Sequence, residues 1–384
     1  MSLSSQRTGR FLSDHELDGF LLLGDSLCNL DIYYLSRFLA PDRFALLAAS
    51  SISILVSSME QGRAKKESDA GEVVSTSDYD VMAKLARFNR PEDAYIEVLK
   101  EFLQDRNIKR LGVPGDFPVR VYQGLEADFD ISVLDSPVSE WRKVKTIEEI
   151  EAIKSSQRAC EEAMRVAIEM ISNTRPSGEF LIFEGEPLTS EKVKSAIDVS
   201  LLERGCEAQD TIVAGGANAA DPHCSGTGPL PANSPIVIDI FPRSKGSRYF
   251  ADMTRTVLRG EADPEIVEIY QAVLEAQDAG IAAVRAGTTG KEVHAKVCEV
   301  FEERGYVERE GRGFIHSTGH GVGLEIHEMP SLSEVGKTLE EGNVVTVEPG
   351  LYYPNLGGVR LEDLVVVRKG GCDNLTNLEK RFIL

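Results

Sequence analysis

The residues from about 147 to the end of the chain contain the same order of elements twice, and this repetition constrains the fold most. In each copy, two helical segments precede a histidine-containing loop and a pair of strand-like segments. Helices are predicted at about 147–172 and 190–204 in the first copy, and at about 264–285 and 290–304 in the second. Two such copies would pack about a pseudo-twofold axis, so their loops and strand pairs would meet at a shared centre.

The strand pairs of the two copies carry acidic residues at equivalent positions. Alignment places Asp239 on Glu348 and Asp252 on Glu362. An ionised carboxylate within an apolar strand is costly unless it is paired or binds a metal. A single strand aspartate more often faces solvent, but four acids in a repeated pattern beside His320 predict a cation site. This oxygen-rich set suits Mn²⁺, is compatible with Co²⁺, Zn²⁺ or Fe²⁺, and exceeds the needs of one ion, so we predict two divalent metal ions.

The residues before about 142 are interpreted as a separate, smaller domain. Short apolar runs alternate there with helical segments, which is typical of an α/β unit. Thr146 and Glu149 form a predicted capping box that opens the next long helix. We therefore divide the chain into domains 1–142 and 143–384. The first domain shows no catalytic cluster, and its single histidine, His15, is interpreted as a surface or capping residue.

The acidic surplus of the chain, 62 aspartates and glutamates against 42 lysines and arginines, argues against nucleic acids and anionic membranes as partners. No apolar run approaches the roughly 18–20 residues of a membrane span, and the N-terminal residues lack the apolar core of a secretory signal. The six cysteines are scattered without C-x-x-C spacing, which is typical of reduced thiols. We therefore expect a globular, cytoplasmic protein.

Five residues stand in motifs that resemble a known set of metal ligands. They are Asp239, Asp252 in ADMTRT, His320 in GHGVGLEIHE, Glu348 in VEPGLY and Glu362 in GVRLED. These motifs resemble the pita-bread metallopeptidases, a family of Xaa-Pro aminopeptidases, prolidases, methionine aminopeptidases and creatinase. The resemblance implies an α+β chain, with a C-terminal pita-bread fold of pseudo-twofold symmetry after a smaller creatinase-type α/β N-terminal domain. The two aspartates lie further apart than is common in the family, which predicts a longer hairpin loop between them.

The resemblance also implies a role for each ligand. Asp239 would bind one ion, His320 and Glu348 would bind the other, and Asp252 and Glu362 would bridge both. Glu348 would also shuttle a proton. A pair of ions in such a site can hold a bridging hydroxide as the nucleophile and polarise a carbonyl group.

Three further histidines are candidates for catalysis by the same resemblance. His223 and His327 would donate hydrogen bonds to the substrate carbonyl and the developing oxyanion, and His316 would line the pocket. The alternative for each is a structural histidine that bonds a backbone carbonyl. The GHGVG segment is not interpreted as a phosphate-binding loop, because no lysine or ribose-binding acid accompanies it.

Arg360 in GVRLED favours the proline-specific members, which carry an arginine here, whereas methionine aminopeptidases are expected to carry glutamine. On one continuous strand, the side chains of Arg360 and Glu362 would leave on the same face. The alternative is that Arg360 only balances the charge of the acids.

The resemblance therefore implies an enzyme that cleaves the Xaa-Pro bond at the N-terminus of peptides or in dipeptides, and a homodimer. An aminopeptidase of other N-terminal specificity and a non-catalytic, protein-binding member of the fold remain as alternatives. The five intact ligands argue against creatinase, which lacks them, and against a binding module.

Overall fold

The computed structural model describes residues 3–308 and 311–384, and it divides the chain into two compact units, Met1–Arg142 and Lys143–Leu384. In the described part of the chain, no helix is both long and apolar enough to cross a bilayer. Each unit is described by itself below.

The first unit is built on one six-stranded sheet with the strand order β4-β3-β2-β1-β5-β6. Its strands are β1 (Gly19–Gly24), β2 (Phe44–Ala48), β3 (Ile52–Val56), β4 (Glu72–Ser75), β5 (Arg110–Pro114) and β6 (Asp130–Leu134). Its helices are α1 (Leu3–Asp14), α2 (Leu30–Ser36), α3 (Gln61–Glu67), α4 (Val81–Arg87), α5 (Pro91–Gln104), α6 (Val119–Leu125) and α7 (Val138–Arg142), with a 3₁₀ turn at Thr76–Tyr79. Residues from the sheet and helices fill two apolar clusters. The unit is thus a mixed α/β layer structure.

In its described residues, the second unit contains four long helices, all close to their predicted positions. They are α8 (Ile147–Ser172), α9 (Ser190–Glu203), α10 (Pro264–Ala283) and α11 (Gly290–Glu303). Local sequence fixes where each helix begins, because a threonine or aspartate side chain caps the first turn in every case. The capping box predicted from Thr146 and Glu149 is confirmed, with each side chain bonded to the other residue's backbone N–H.

The strands of the second unit form two related sheets and several short ribbons. The first half contains β7 (Arg175–Ser177), β8 (Phe180–Phe183), β9 (Glu186–Pro187), β10 (Cys206–Ala208), β11 (Ile212–Gly215), β12 (Pro235–Ile240), β13 (Pro242–Ser244) and β14 (Met253–Leu258), with a 3₁₀ turn at Gly216–Ala220. The second half contains β15 (Gly319–Gly321), β16 (Glu328–Leu332), β17 (Val344–Val347), β18 (Gly350–Tyr353), β19 (Gly357–Arg360), β20 (Asp363–Arg368) and β21 (Gly371–Asn374).

The predicted repeat is visible in the strand pairing. Strands β11-β12-β14 form one antiparallel sheet, and β15-β17-β20 form the centre of another, with β16 and β21 at its edges. Strands β12, β14 and β17 are buried along their whole length, which explains their nearly continuous apolar sequence. The long hairpin predicted between Asp239 and Asp252 takes the form of the extra strand β13, which pairs with β10.

Backbone and side-chain bonds join the two sheets directly. The amide of Glu362 donates to the carbonyl of Thr254, and the Thr256 hydroxyl bonds both the carbonyl and the amide of Arg360. Strand β14 of the first half therefore lies beside the segment that leads into β20 of the second half. This junction brings the acidic residues of both halves together.

Candidate metal centre

One cavity of the second unit, about 910 Å³ in volume, is lined by all nine residues that the sequence proposes for metal binding or catalysis. They are His223, Asp239, Asp252, His316, His320, His327, Glu348, Arg360 and Glu362. Since these residues span about 140 positions in the chain, the fold alone brings them to one place.

The four acids hold equivalent positions in the two strand pairs. Asp239 lies near the end of β12, opposite Thr254 of β14, and Glu348 directly follows β17. Asp252 and Glu362 each directly precede the returning strand, β14 or β20. The alignment of the two sequence copies therefore placed the acids correctly.

His320 stands among these carboxylates. Its Nε2 atom is 3.3 Å from Oε1 of Glu348 and 3.6 Å from Oδ2 of Asp252. Asp252, His320 and Glu362 each offer a ligand atom, and these three atoms lie within 4.8 Å of one another. The spacing is that of a group able to surround a cation.

The electrostatics of the four carboxylates favour such a cation. Burial raises the pKa of Asp239, Asp252 and Glu362, and neighbouring acids raise it further. Oδ1 of Asp239 and Oε1 of Glu362 are buried and have no hydrogen-bond partner within the described chain. Unpartnered carboxylate oxygens in a buried site are what divalent cations bind, so the donor set fits the metal ions that it was predicted to hold.

His320 and Glu348 form the best-paired couple of the group. Burial opposes ionisation of Glu348, but the hydrogen bond and charge of His320, together with the charges of His316 and Arg360, outweigh it and lower the pKa of Glu348 to about 2. Burial also opposes a charge on the His320 ring, yet the contacts with Glu348 and Asp252 raise its pKa to about 9. In the absence of a cation, the imidazolium therefore partly balances the carboxylates.

Two other histidines of the cavity, His316 and His327, differ in how firmly they are held. His316 bonds the carbonyl of Ser317 at 2.7 Å and the hydroxyl of Tyr352 at 2.9 Å, and burial lowers its pKa. His327 is exposed, and its ring stands edge-on to that of His320 with centroids 4.3 Å apart. Partial desolvation of the ring and the neighbouring His320 lower its pKa, which favours a neutral ring that can donate one hydrogen bond.

Residues 151–369 match the model of metallopeptidase family M24. The chain belongs to this family. An Xaa-Pro dipeptidase of Pyrococcus furiosus is 33% identical over 306 residues, which cover 78% of this chain and 80% of that protein. The family, the enzyme class and the use of divalent metal ions on a peptide substrate are thereby established.

Solved structures of similar proteins confirm the expected α+β, pita-bread fold with its smaller first domain. The prolidase from Pyrococcus horikoshii OT3 matches with a TM-score of 0.80 and 27% identity over 99% of both chains. The X-Pro aminopeptidase from Thermotoga maritima MSB8 matches with a TM-score of 0.80 and 28% identity, over 98% of this chain and all of that one.

Arg360 of this M24 peptidase is buried and fully engaged by the protein. Its guanidinium donates to Oδ2 of Asp239 at 2.7 Å, to the hydroxyl of Tyr352 at 2.8 Å and to the hydroxyl of Thr254 at 3.2 Å. Strand β19 ends at Arg360 and Glu362 lies between strands, so the premise of one continuous strand was wrong, but both residues line the same cavity. The alternative that Arg360 balances the charge of an acid describes these contacts well.

Three polar residues of the M24 site escaped the sequence reasoning. The hydroxyl of Thr254 donates to Glu362, that of Thr346 donates to Glu348, and that of Tyr352 links Arg360 to His316. Thr254 and Thr346 lie two residues from a predicted ligand, so the two-residue period of a strand was a usable signal. Nothing in the local sequence marks Tyr352.

Proposed function

We propose that this M24 peptidase hydrolyses the Xaa-Pro bond at the N-terminus of peptides or in dipeptides. The observation that carries the proposal is the convergence of four carboxylates and four histidines on one cavity, in a chain whose relatives are named for Xaa-Pro cleavage. An Xaa-Pro bond is a tertiary amide without an N–H, so the site must recognise the proline ring and the flanking carbonyls. Donors around an open cavity suit this requirement.

We propose the five predicted ligands as the metal site. Asp239 would hold one ion, His320 and Glu348 would hold the second, and Asp252 and Glu362 would help to hold both. The unpartnered oxygens of Asp239 and Glu362 support this assignment. Two bound divalent ions would activate water and polarise the scissile carbonyl. We favour Mn²⁺, followed by Co²⁺, because four of the five ligands are carboxylates.

The remaining residues of the cavity act on the substrate and on protons in this proposal. Glu348 carries a proton between the attacking water and the leaving nitrogen. His327 and His223 donate hydrogen bonds to the substrate carbonyl and the oxyanion, for which their exposed side chains are suited. His316 stays neutral and shapes the wall of the cavity, and Arg360 holds Asp239.

Further assignments concern the whole protein. We propose a cytoplasmic homodimer that does not bind nucleic acids or membranes, with residues 1–142 as its creatinase-type domain and 143–384 as its catalytic domain. The net charge of −20 supports the absence of anionic partners. The six unpaired cysteines support a location in a reducing compartment. Sedimentation at low micromolar concentration tests the dimer, which a monomer at that concentration would contradict.

A length series of Xaa-Pro substrates tests the proposed activity. Purified protein loaded with Mn²⁺ is assayed on Xaa-Pro dipeptides, on longer peptides beginning Xaa-Pro, and on matched Xaa-Ala peptides. We expect clear preference for proline, and the series also shows whether dipeptides or longer peptides are the better substrates. Equal rates on Xaa-Ala and Xaa-Pro peptides would reject proline specificity.

A further inference from the structure

The loop that carries His327 closes on the carboxylate of Glu328, the next residue. Oε1 of Glu328 accepts hydrogen bonds from the backbone amides of Leu324 at 2.9 Å and Glu325 at 3.1 Å. Gly323 makes room for this carboxylate, since a Cβ atom on Gly323 would lie 2.3 Å from Oε2 of Glu328. One side chain therefore ties the start of the loop to its end.

The charge of this carboxylate is balanced by Lys145. Nζ of Lys145 donates to Oε2 of Glu328 at 2.9 Å, and the two side chains are only 1% and 5% exposed. The backbone amide of Lys145 bonds the carbonyl of Gly342, so the lysine is itself anchored. A buried ion pair of this kind is costly to break, because removing either member takes a compensating charge away from the other in a buried place.

The position of His327 depends on this loop. Glu328 pairs through its backbone with Gly321, the residue after His320, so both ends of the loop belong to the β15–β16 pair. The His327 side chain is exposed, and its ring approaches that of His320 from the edge. The direction of the exposed ring is consequently set by the backbone that Glu328 holds.

We propose that Glu328, with its charge balanced by Lys145, is a positioning residue that fixes His327 for catalysis. This inference rests on the proposed role of His327 as a donor to the substrate. Neither member of the pair lines the cavity, so both act through the loop and not on the substrate.

Kinetics of paired variants test the proposal. Glu328→Gln and Lys145→Met each remove one charge of the buried pair, and each should lower kcat on an Xaa-Pro substrate about tenfold or more, with normal metal content. The double variant removes both charges while the glutamine oxygen still accepts from the two amides, so kcat should return to within about threefold of wild type. Lys143→Met is the matched control, because Lys143 pairs with Glu340 at the surface, with 26% and 52% exposure.

A second cycle separates positioning from general structural damage. In a protein that already carries His327→Ala, Glu328→Gln should lower kcat by less than about twofold, because the residue through which it acts is gone. A full tenfold loss in that background would overturn the proposal, as would single variants with wild-type kcat. Equal losses in the single and double variants would also overturn it.

Hydrogen exchange provides a readout that does not depend on activity. The amides of Leu324 and Glu325 should exchange faster in Glu328→Gln and Lys145→Met than in wild type or Lys143→Met. If wild-type protein fails to cleave Xaa-Pro substrates, the proposed function is rejected. Unchanged exchange in Glu328→Gln and Lys145→Met would separately overturn the role of the Glu328–Lys145 pair. If the single variants do not fold, exchange of the Leu324 and Glu325 amides is measured in Lys145→Arg and in the double variant. Slow exchange in both variants supports the role of the Glu328–Lys145 pair, and fast exchange refutes it.

Discussion

Replacing Arg360 with methionine should destabilise the metal-free protein far more than the metal-loaded one. Arg360 is 4% exposed, and its guanidinium donates to Asp239, whose other carboxylate oxygen already lacks a hydrogen-bond partner. Removing one member of a buried ion pair typically costs about 3–5 kcal/mol, because the remaining charge stays uncompensated. Bound cations would compensate Asp239, so the loss should be smaller with Mn²⁺ present.

Thermal melting of the wild type and variant, each with a chelator and with Mn²⁺, measures this difference. A loss of 3–5 kcal/mol corresponds to a fall in Tm of about 10 °C in the chelated protein. By thermodynamic linkage, a smaller loss with metal means that the variant binds the cation more tightly than wild type.

The matched control is Arg368→Met, because Arg368 pairs with Asp373 at the surface, with 39% and 60% exposure. Exposed pairs contribute about 1 kcal/mol or less, so this variant should melt near wild type under both conditions. Equal destabilisation of Arg360→Met with and without Mn²⁺ would refute the reasoning, because the arginine would then not be balancing a metal ligand.

Three further outcomes are expected. His327→Ala should lower kcat on Xaa-Pro substrates about 10²-fold or more with unchanged metal content, and loss of metal would contradict its place outside the ligand set. Elemental analysis after metal titration should find up to two divalent ions per chain, with Mn²⁺ or Co²⁺ giving the highest activity, and full activity after exhaustive chelation would exclude this mechanism. Bonds from the Gly228 amide and the Thr227 hydroxyl lower the pKa of Glu191 from 4.5 to about 2. The contribution of Glu191 to the free energy of unfolding is therefore present above pH 4.5 and lost as the pH falls toward 2. In Glu191→Gln, the free energy of unfolding should therefore fall less steeply over this pH range than in wild type. An unchanged pH dependence would show that Glu191 makes no such contribution.

The parts of the site that the sequence predicted are those with a local signal. A charged residue within an apolar strand can be recognised from the sequence alone, without knowing what the strand packs against. This signal identified Asp239, Asp252, Glu348 and Glu362. Helix starts were predicted equally well, because a capping side chain and the amide that it bonds lie within three residues of each other.

The parts that escaped prediction depend on pairs distant in the chain. Arg360 meets Asp239 across 121 positions, and Lys145 meets Glu328 across 183. The sequence marked Asp239 as an acid in an apolar strand and offered Arg360 as a charge partner of the acids, but only the folded arrangement shows that these two residues pair. Lys145 and Glu328 each resemble an ordinary surface charge in the sequence. The ribbon of β18 and β19 was not resolved as a separate element either, because glycine is depleted in strands and the glycines of these segments interrupt the strand pattern.

The junction between β14 and the segment before β20 means that neither half of the catalytic unit holds its acids independently. Thr254 of one half bonds Glu362 of the other, and Arg360 of the second half holds Asp239 of the first. If the halves descend from one duplicated ancestor, a single copy could have closed such a pocket only by associating with another. Two separate copies would meet only as often as their concentration allows, whereas in a fused chain the connecting segment sets the effective concentration of one copy around the other. After fusion, cation affinity would no longer have depended on the abundance of the protein.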